Sequence, residues 1–343
     1  MQNQIIKGFR LAPQQRRVWS LQQDGSAYCV QGAVLLEGNL QPEILKDALQ
    51  KVVNQQEILR TAFRHFPGIK TPVMVIADNS SLSLRTINLS DLELKGQETK
   101  IESLFLEQRH QDFDLEQGLI LHSVLLKLSV NRHILMVSFP SLCGDAWTLK
   151  NLVSEINNAY LARLQTEELS EKAVQYVQFS EWQNQILEDD DAEAGKEYWE
   201  QQDFSNASRL KLPFESKSWQ QSQFTPNCHS MTLGSDLLRK IETLVQQYDT
   251  SASIVLLTCW QILLWRVTGL SDIVVGTIYD RREGEYEPLR NVLGLLATWL
   301  PIKVDFAPDL RFIEALKLVK KVTGDAEEWQ DYFCSNYGTV PYG

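Results

Sequence analysis

The stretch SFPSLCGDAWTLKNL, residues 138–152, gathers side chains that could do chemistry: Ser141, Cys143 and Asp145. A strand-like run ends here, a short Ser-Leu-Cys-Gly loop follows, and Asp145 opens a helix. The Ser141 hydroxyl can position a group by hydrogen bonding. It is too weak a base at neutral pH to remove a proton unless a neighbouring base activates it. Cys143 lies two residues before the helix start, the end of the dipole that favours an anion. A thiolate there would be a nucleophile and could carry an acyl group. The other reading of Cys143 is a small buried residue filling a tight loop, as cysteines are often buried. Asp145 suits the N-cap, where a carboxylate accepts from the free N–H groups of the first turn. The loop holds no His, Glu or Lys.

No other constellation supplies the missing base by spacing. The five histidines are His65, His110, His122, His133 and His229, and no two stand at metal-ligand spacing with a further Cys or acid. No metal site is expected. His122 and His133 fall on the strands leading into the loop and are the two imidazoles to locate. The glycines of VVGTIYDRREGEYEPLRNVLGLL lack phosphate-loop and dinucleotide spacing. No Gly-x-Ser-x-Gly elbow occurs.

The elements that must position the loop are mixed α and β. LILHSVLLKL (119–128) and RHILMVSF (132–139) read as a hairpin joined by a polar turn. A helical period runs from Trp147 through Leu149, Leu152, Val153, Ile156 and Tyr160, and another covers 42–59. The acidic run EDDDAEAG (188–195) and polar sequence to about residue 230 read as a crossover linker, with helix surviving around KEYWEQQ. Beyond it, 235–249, 253–268 and 310–330 read as helices, and 272–280 and 297–306 as strands.

The 343 residues suggest about two domains. With 43% hydrophobic and 22% charged residues, the chain can bury a sizeable core. A net charge of −11 argues against a nucleic-acid backbone or an anionic membrane as main partner. Five cysteines without a CxxC pair point to reduced thiols and a cytoplasmic setting. The start MQNQIIKGFRL lacks the apolar core of a signal peptide, and the apolar run 253–265 is too short to span a bilayer.

Several segments, in order, resemble motifs of the condensation-domain superfamily of nonribosomal peptide synthetases. LAPQQRRVWSLQQ (11–23) is similar to the family's Ser-x-Ala-Gln-x-Arg-x-Trp-x-Leu, with Gln15, Arg17, Trp19 and Leu21 in place. QQEILRTAF (55–63) is similar to Arg-His-Glu-x-Leu-Arg-Thr-x-Phe, with Gln55 and Gln56 replacing the first two residues. YVQFSEW (176–182) resembles Tyr-x-Asp-Phe-x-x-Trp, with Gln178 for Asp. DIVVGTIYDRR (272–282) and VLGLLATWLPIKVD (292–305) resemble the fifth-motif region, with Ala297, Thr298 and Trp299 where the family has Val-Asn-Thr. The opening stretch falls on the third motif, His-His-x-x-x-Asp-Gly. Aligned on Asp145, the two His positions hold Pro140 and Ser141, and the Gly position holds Ala146. Trp329 stands where the family carries the His of a C-terminal His-Gln-Asp stretch.

The resemblance implies an α/β fold of two chloramphenicol-acetyltransferase-like lobes in a V-shaped arrangement. The expected division is an N-terminal lobe with the active-site loop (1–180), a crossover linker (181–230) and a C-terminal lobe (231–343) short of its last strands and helices. It implies acyl or peptidyl transfer between carrier-bound thioesters. Donor and acceptor carrier proteins, or neighbouring synthetase domains, would present 4′-phosphopantetheine arms, with no cofactor bound by this chain. In the family the second His handles the amine proton or stabilises the tetrahedral species, and a missing general base costs about 10²–10⁴ in rate. Ser141 and Cys143 are the residues left to contribute. Asp145 is expected to shape the site through an ion pair with Arg282, while Arg17, Trp19, Arg60 and Thr61 are expected to be scaffold. The other readings are a catalytically inactive docking platform for carriers or tailoring enzymes, and a freestanding acyltransferase using a diffusible thioester.

Overall fold

A computed structural model describes residues 7–22, 28–78, 80, 82–118, 120–165, 174–205, 207, 210–215, 229–283 and 286–333. Cys228, Cys334 and the sequence beyond residue 333 lie outside the described residues. The chain divides into two units: residues 1–189 with 280–298, and residues 190–279 with 299–343. Residues 280–298, which the linear division assigns to the C-terminal segment, thus pack with the first unit. This excursion carries Arg282 to the loop that it serves.

The first unit is built on a four-stranded sheet in the order β2-β7-β6-β5. Its strands are β2 (Cys29–Glu37), β5 (Leu84–Asn88), β6 (His122–Ser129) and β7 (Arg132–Pro140). The predicted hairpin is β6–β7, antiparallel with His122 opposite Ser138 and Leu125 opposite Leu135. β2 adds antiparallel on the other side of β7, with Cys29 opposite Pro140, and β5 joins β6 in parallel. A smaller sheet holds β1 (Gly8–Phe9), β4 (Val73–Ile76) and β3 (Thr61–Arg64) in that order.

Strand alternation gives the main sheet two faces. One carries Leu125, Leu135, Val137 and Phe139 into the larger core. Two helices supply that core: α2 (Pro42–Gln55), through Leu45, Leu49, Val52 and Val53, and α4 (Ala146–Gln165), through Leu152, Ile156 and Ala159. These residues recur at helical spacing, so each helix presents one apolar stripe. The other face carries Val124, Leu126, Leu128 and Met136, which pack with Leu104 of α3 (Leu94–Arg109). α1 (Pro13–Leu21) and α5 (Tyr176–Glu188) complete the unit. The predicted helix over 42–59 stops at Gln55; Glu57–Arg60 form a single 3₁₀ turn that feeds β3.

The second unit holds α6 (Glu193–Glu200), α7 (Ser235–Gln247), α8 (Ala252–Thr268) and α9 (Phe312–Glu328), together with the paired strands β8 (Asp272–Asp280) and β9 (Ala297–Asp305). Its core joins Trp199, Ile273, Leu300, Ile302, Val304 and Val319. α8 is bounded as its sequence dictates. Ser251 caps its start by accepting from the Ile254 N–H at 3.2 Å, and Gly269 ends it in the left-handed region at φ 73°. Among the described residues no single helix is long and apolar enough to cross a membrane.

Candidate active site

The loop after β7 is a single 3₁₀ turn, Ser141–Cys143, followed by Gly144 and by Asp145 at the mouth of α4. Its start is tied to the neighbouring strand, for the Ser141 N–H donates to the Tyr28 carbonyl at 2.8 Å. Its underside is held by Gln15, whose side-chain amide donates to the Leu142 carbonyl at 2.8 Å. Gly144 is needed for close approach. A Cβ there would lie 2.5 Å from Thr148 Cγ2 and 2.8 Å from Phe139 Cε2.

Asp145 caps α4: its Oδ1 accepts from the Thr148 N–H at 2.8 Å and from the Thr148 hydroxyl at 2.9 Å. Arg282 Nη1 lies 3.1 Å from both Asp145 carboxylate oxygens, and both side chains are buried. The remaining lone pairs of Asp145 Oδ2 receive the N–H groups of Leu296 and Ala297 at 3.0 and 3.1 Å. Arg282 in turn donates to the carbonyls of Val292 and Gly294, and its Nη1 also pairs with Asp280 at 3.0 Å. A buried ion pair is tolerated when its other hydrogen-bonding capacity is filled in this way. Burial raises the Asp280 carboxyl, an effect that Arg282 opposes.

Thr148 is a site residue that the sequence reading did not single out. Its hydroxyl lies 2.6 Å from the Gly294 carbonyl, 3.2 Å from the Gly294 N–H and 3.0 Å from Arg282 Nη2. Tyr176, at the start of α5, donates its hydroxyl to the Leu295 carbonyl at 2.9 Å, and Gln14 donates to the same carbonyl at 2.8 Å. Gly294, at φ 152°, lies so close to the Tyr176 ring that a Cβ there would be 1.9 Å from Cδ2. The segment 292–297 is therefore gripped by side chains from α1, α4, α5 and the turn after β8. No sequence spacing signals this grip, because the participants are up to 281 positions apart.

Cys143 is fully buried among Phe139, Leu142 and neighbouring core residues, and burial pushes its thiol far above the usual value. The favourable helix end does not offset the loss of solvation. This burial favours the second reading of Cys143, a small residue filling the tight loop, over the nucleophile reading, because desolvation disfavours the thiolate. Ser141 is partly exposed. His133 is buried at the far end of β7, and His122 is stacked on Phe113 with ring centroids 4.5 Å apart; burial lowers both imidazoles. Trp19 packs against His65, the Thr61 hydroxyl donates to the Glu57 carbonyl at 2.7 Å, and Arg60 donates to the Ala77 carbonyl. Among the described residues no group of three or more His, Cys, Asp or Glu could hold a metal ion.

Known proteins share both sequence and fold with this chain. It is 24% identical over 315 residues to gramicidin S synthase 2 of Brevibacillus brevis, covering 91% of this chain and 7% of that synthase. It is 28% identical over 328 residues to tyrocidine synthase 2 of Brevibacillus parabrevis, covering 94% of this chain and 9% of that one. The chain thus spans less than a tenth of the length of these curated relatives. In structure it is similar to the first condensation domain of the calcium-dependent antibiotic synthetase, with a TM-score of 0.81, 16% identity, and 98% of this chain and 79% of that chain covered. It is likewise similar to the X-domain from teicoplanin biosynthesis, with a TM-score of 0.79, 21% identity, and 97% and 74% covered. The profile of the condensation domain matches residues 6–334, nearly the whole sequence, and the chain belongs to the condensation-domain family.

Proposed function

We propose that this domain transfers an acyl or peptidyl group from one carrier-bound thioester to the amine of another, within a peptide synthetase. The loop would act by placing the reactants rather than by forming a covalent intermediate. The observation that carries this reading is the buried frame of Asp145, Thr148 and Arg282, which holds the loop and segment 292–297 in one geometry. Positioning alone can supply a large part of a barrier reduction, and a thioester is already activated. The 4′-phosphopantetheine arms belong to the carriers in this reading. Ser141, partly exposed at the start of the turn, is the residue proposed to hydrogen-bond the reacting group.

A second reading, a docking platform without transfer chemistry, is favoured by one observation. Pro140 and Ser141 fill the positions aligned with the family's His pair, so the turn itself offers no imidazole. A reconstituted assay with loaded donor and acceptor carriers separates the two. Amide product from the wild type supports transfer. No product from the wild type, with product appearing in Ser141→His, supports a platform that has lost its chemistry.

A further inference from the structure

Four helical threonines of this chain, Thr99, Thr243, Thr258 and Thr268, donate their hydroxyls to the carbonyl four residues earlier, at 2.7 to 3.0 Å. Thr323 of α9 does not. It is 7% exposed, and its hydroxyl has no hydrogen-bond partner. A buried hydroxyl turned from its own helix and left unpaired calls for a reason. Thr323 lines a cavity of about 400 Å³ between α9 and the start of α8, open to solvent and contained wholly in the second unit. Thr250, in the turn between α7 and α8, lines it too, and its buried hydroxyl is also unpaired. The wall given by α9 is one face of that helix, for Lys320, Thr323, Gly324 and Glu327 follow the i, i+3, i+4, i+7 spacing. Gly324 stands inside the helix, where glycine is less stable than alanine. Packing does not require it, since a Cβ there would meet no atom within 4 Å. Its effect is to leave the cavity floor bare between Lys320 and Glu327.

The charges around this cavity are of both signs and are separated. Ser251, the N-cap of α8, lines it, so the positive end of a 17-residue helix borders the space. The first-turn N–H groups of Ala252 and Ser253 have no acceptor within the helix. Lys320 reaches the same turn: its ammonium donates to the Asp249 carbonyl and lies 3.4 Å from Asp249 Oδ2. An ammonium has three N–H groups, so one remains for a further acceptor. Glu327 lies seven residues further along α9, or about 10 Å along the axis. It is exposed and makes no ion pair among the described residues. We propose that the cavity binds a small extended zwitterion, with its carboxylate at Lys320 and the start of α8 and its ammonium at Glu327. A simple anion would meet the Asp249 and Glu327 carboxylates against a single lysine. A simple cation would meet Lys320 and the positive helix end. An α-amino acid holds its two charges too close together to reach both ends, whereas an amino acid with its amine at the far end of the chain, or a dipeptide, spans them.

This site does not depend on the transfer reading, and its test involves no carrier. Isothermal titration calorimetry on the full chain uses ε-aminocaproate and glycylglycine as probes, with glycine, hexanoate, hexylamine and inorganic phosphate as controls at the same millimolar concentrations. The expected result is saturable one-to-one binding of at least one of the two probes and no saturable binding of the controls. Kd for that probe rises about tenfold or more in Lys320→Met and in Glu327→Gln, as when one hydrogen bond to a charged group is lost. Gly324→Leu fills the floor and abolishes binding, although leucine favours a helix more than glycine does. Urea midpoints report whether the variants fold; if Gly324→Leu does not, the two exposed charge variants carry the comparison. Hexanoate or phosphate bound as tightly as the probes makes this an anion site and overturns the proposal, and hexylamine bound as tightly makes it a cation site and does the same. An unchanged Kd in the variants puts the binding elsewhere and overturns it, as does the absence of saturable binding of either probe.

Discussion

Arg282 and Asp145 are 137 positions apart in the chain, yet the guanidinium Nη1 lies 3.1 Å from both carboxylate oxygens. The pair is buried and is surrounded by backbone N–H and C=O groups that it satisfies. It joins the turn after β8 to the first turn of α4, and so fixes the loop that precedes that helix. Coulomb attraction alone would not make such a pair stabilising, since both ions give up their hydration. Removing one partner is the costly event.

Asp145→Asn therefore leaves Arg282 with Asp280 as its remaining charged partner and weakens the cap of α4. The expected loss is about 3 kcal/mol, read from the urea midpoint at unchanged slope. A loss below about 0.5 kcal/mol, typical of a surface change, would show that the frame does not depend on this charge.

Thr148 is the second support. Thr148→Val keeps the shape but deprives Asp145, Arg282 and Gly294 of their hydroxyl partner. We expect it to cost about 2 kcal/mol, because buried groups are left unpaired. Thr148→Ser restores the oxygen and should recover most of the stability. Equal losses in Val and Ser variants would assign the effect to the methyl group instead.

Much of the fold was legible in the sequence for a physical reason. The apolar periods of α2, α4, α8 and α9 and the apolar β-like runs of β6 and β7, joined by a polar turn, are local signals, and they fell within a few residues of the observed bounds. The segments α1, α3 and β2 were not assigned: α1 and α3 hold few apolar residues, and the partner of β2 is β7, about a hundred positions away. At the site, Asp145 was legible as a cap, but its link to Arg282 came from family resemblance and not from spacing. Tyr176 and Gly294 fall in segments that resemble family motifs, but they and Thr148 act through contacts between distant segments, so no local spacing reveals their partners. For Cys143 the sequence left two readings open, because position at a helix start is visible in a sequence and burial is not; its burial favours the packed one.

The burial of Cys143 yields a chemical prediction. In the native protein iodoacetamide should modify Cys259, which is exposed, and spare Cys143 until the chain is unfolded. Peptide mass mapping reads this directly. Modification of Cys143 at a rate similar to Cys259 would show that the turn opens to solvent.

Stability should also depend on Glu155 of α4. Burial raises its carboxyl above the usual 4.5, and hydrogen bonds from Gln56 at 2.8 and 2.9 Å pull it partly back. The folded chain therefore holds this proton more tightly than the unfolded chain. Its contribution is fully present below pH 4.5 and is lost as pH rises through the folded value. Relative to the wild type, Glu155→Gln should gain stability between that pH and neutrality and then hold the gain. Urea midpoints across this range check it, and a difference independent of pH would contradict the assignment.

The most direct test of the central claim is whether the domain passes the acyl group straight from donor to acceptor. Wild-type protein is incubated with acyl-loaded donor carrier, first alone and then with loaded acceptor, and intact masses of protein and carriers are followed. We predict no acyl adduct on the protein at any time and amide product on the acceptor carrier once both are present. An adduct mapping to Cys143 or Ser141, or no product with both carriers present, would contradict it.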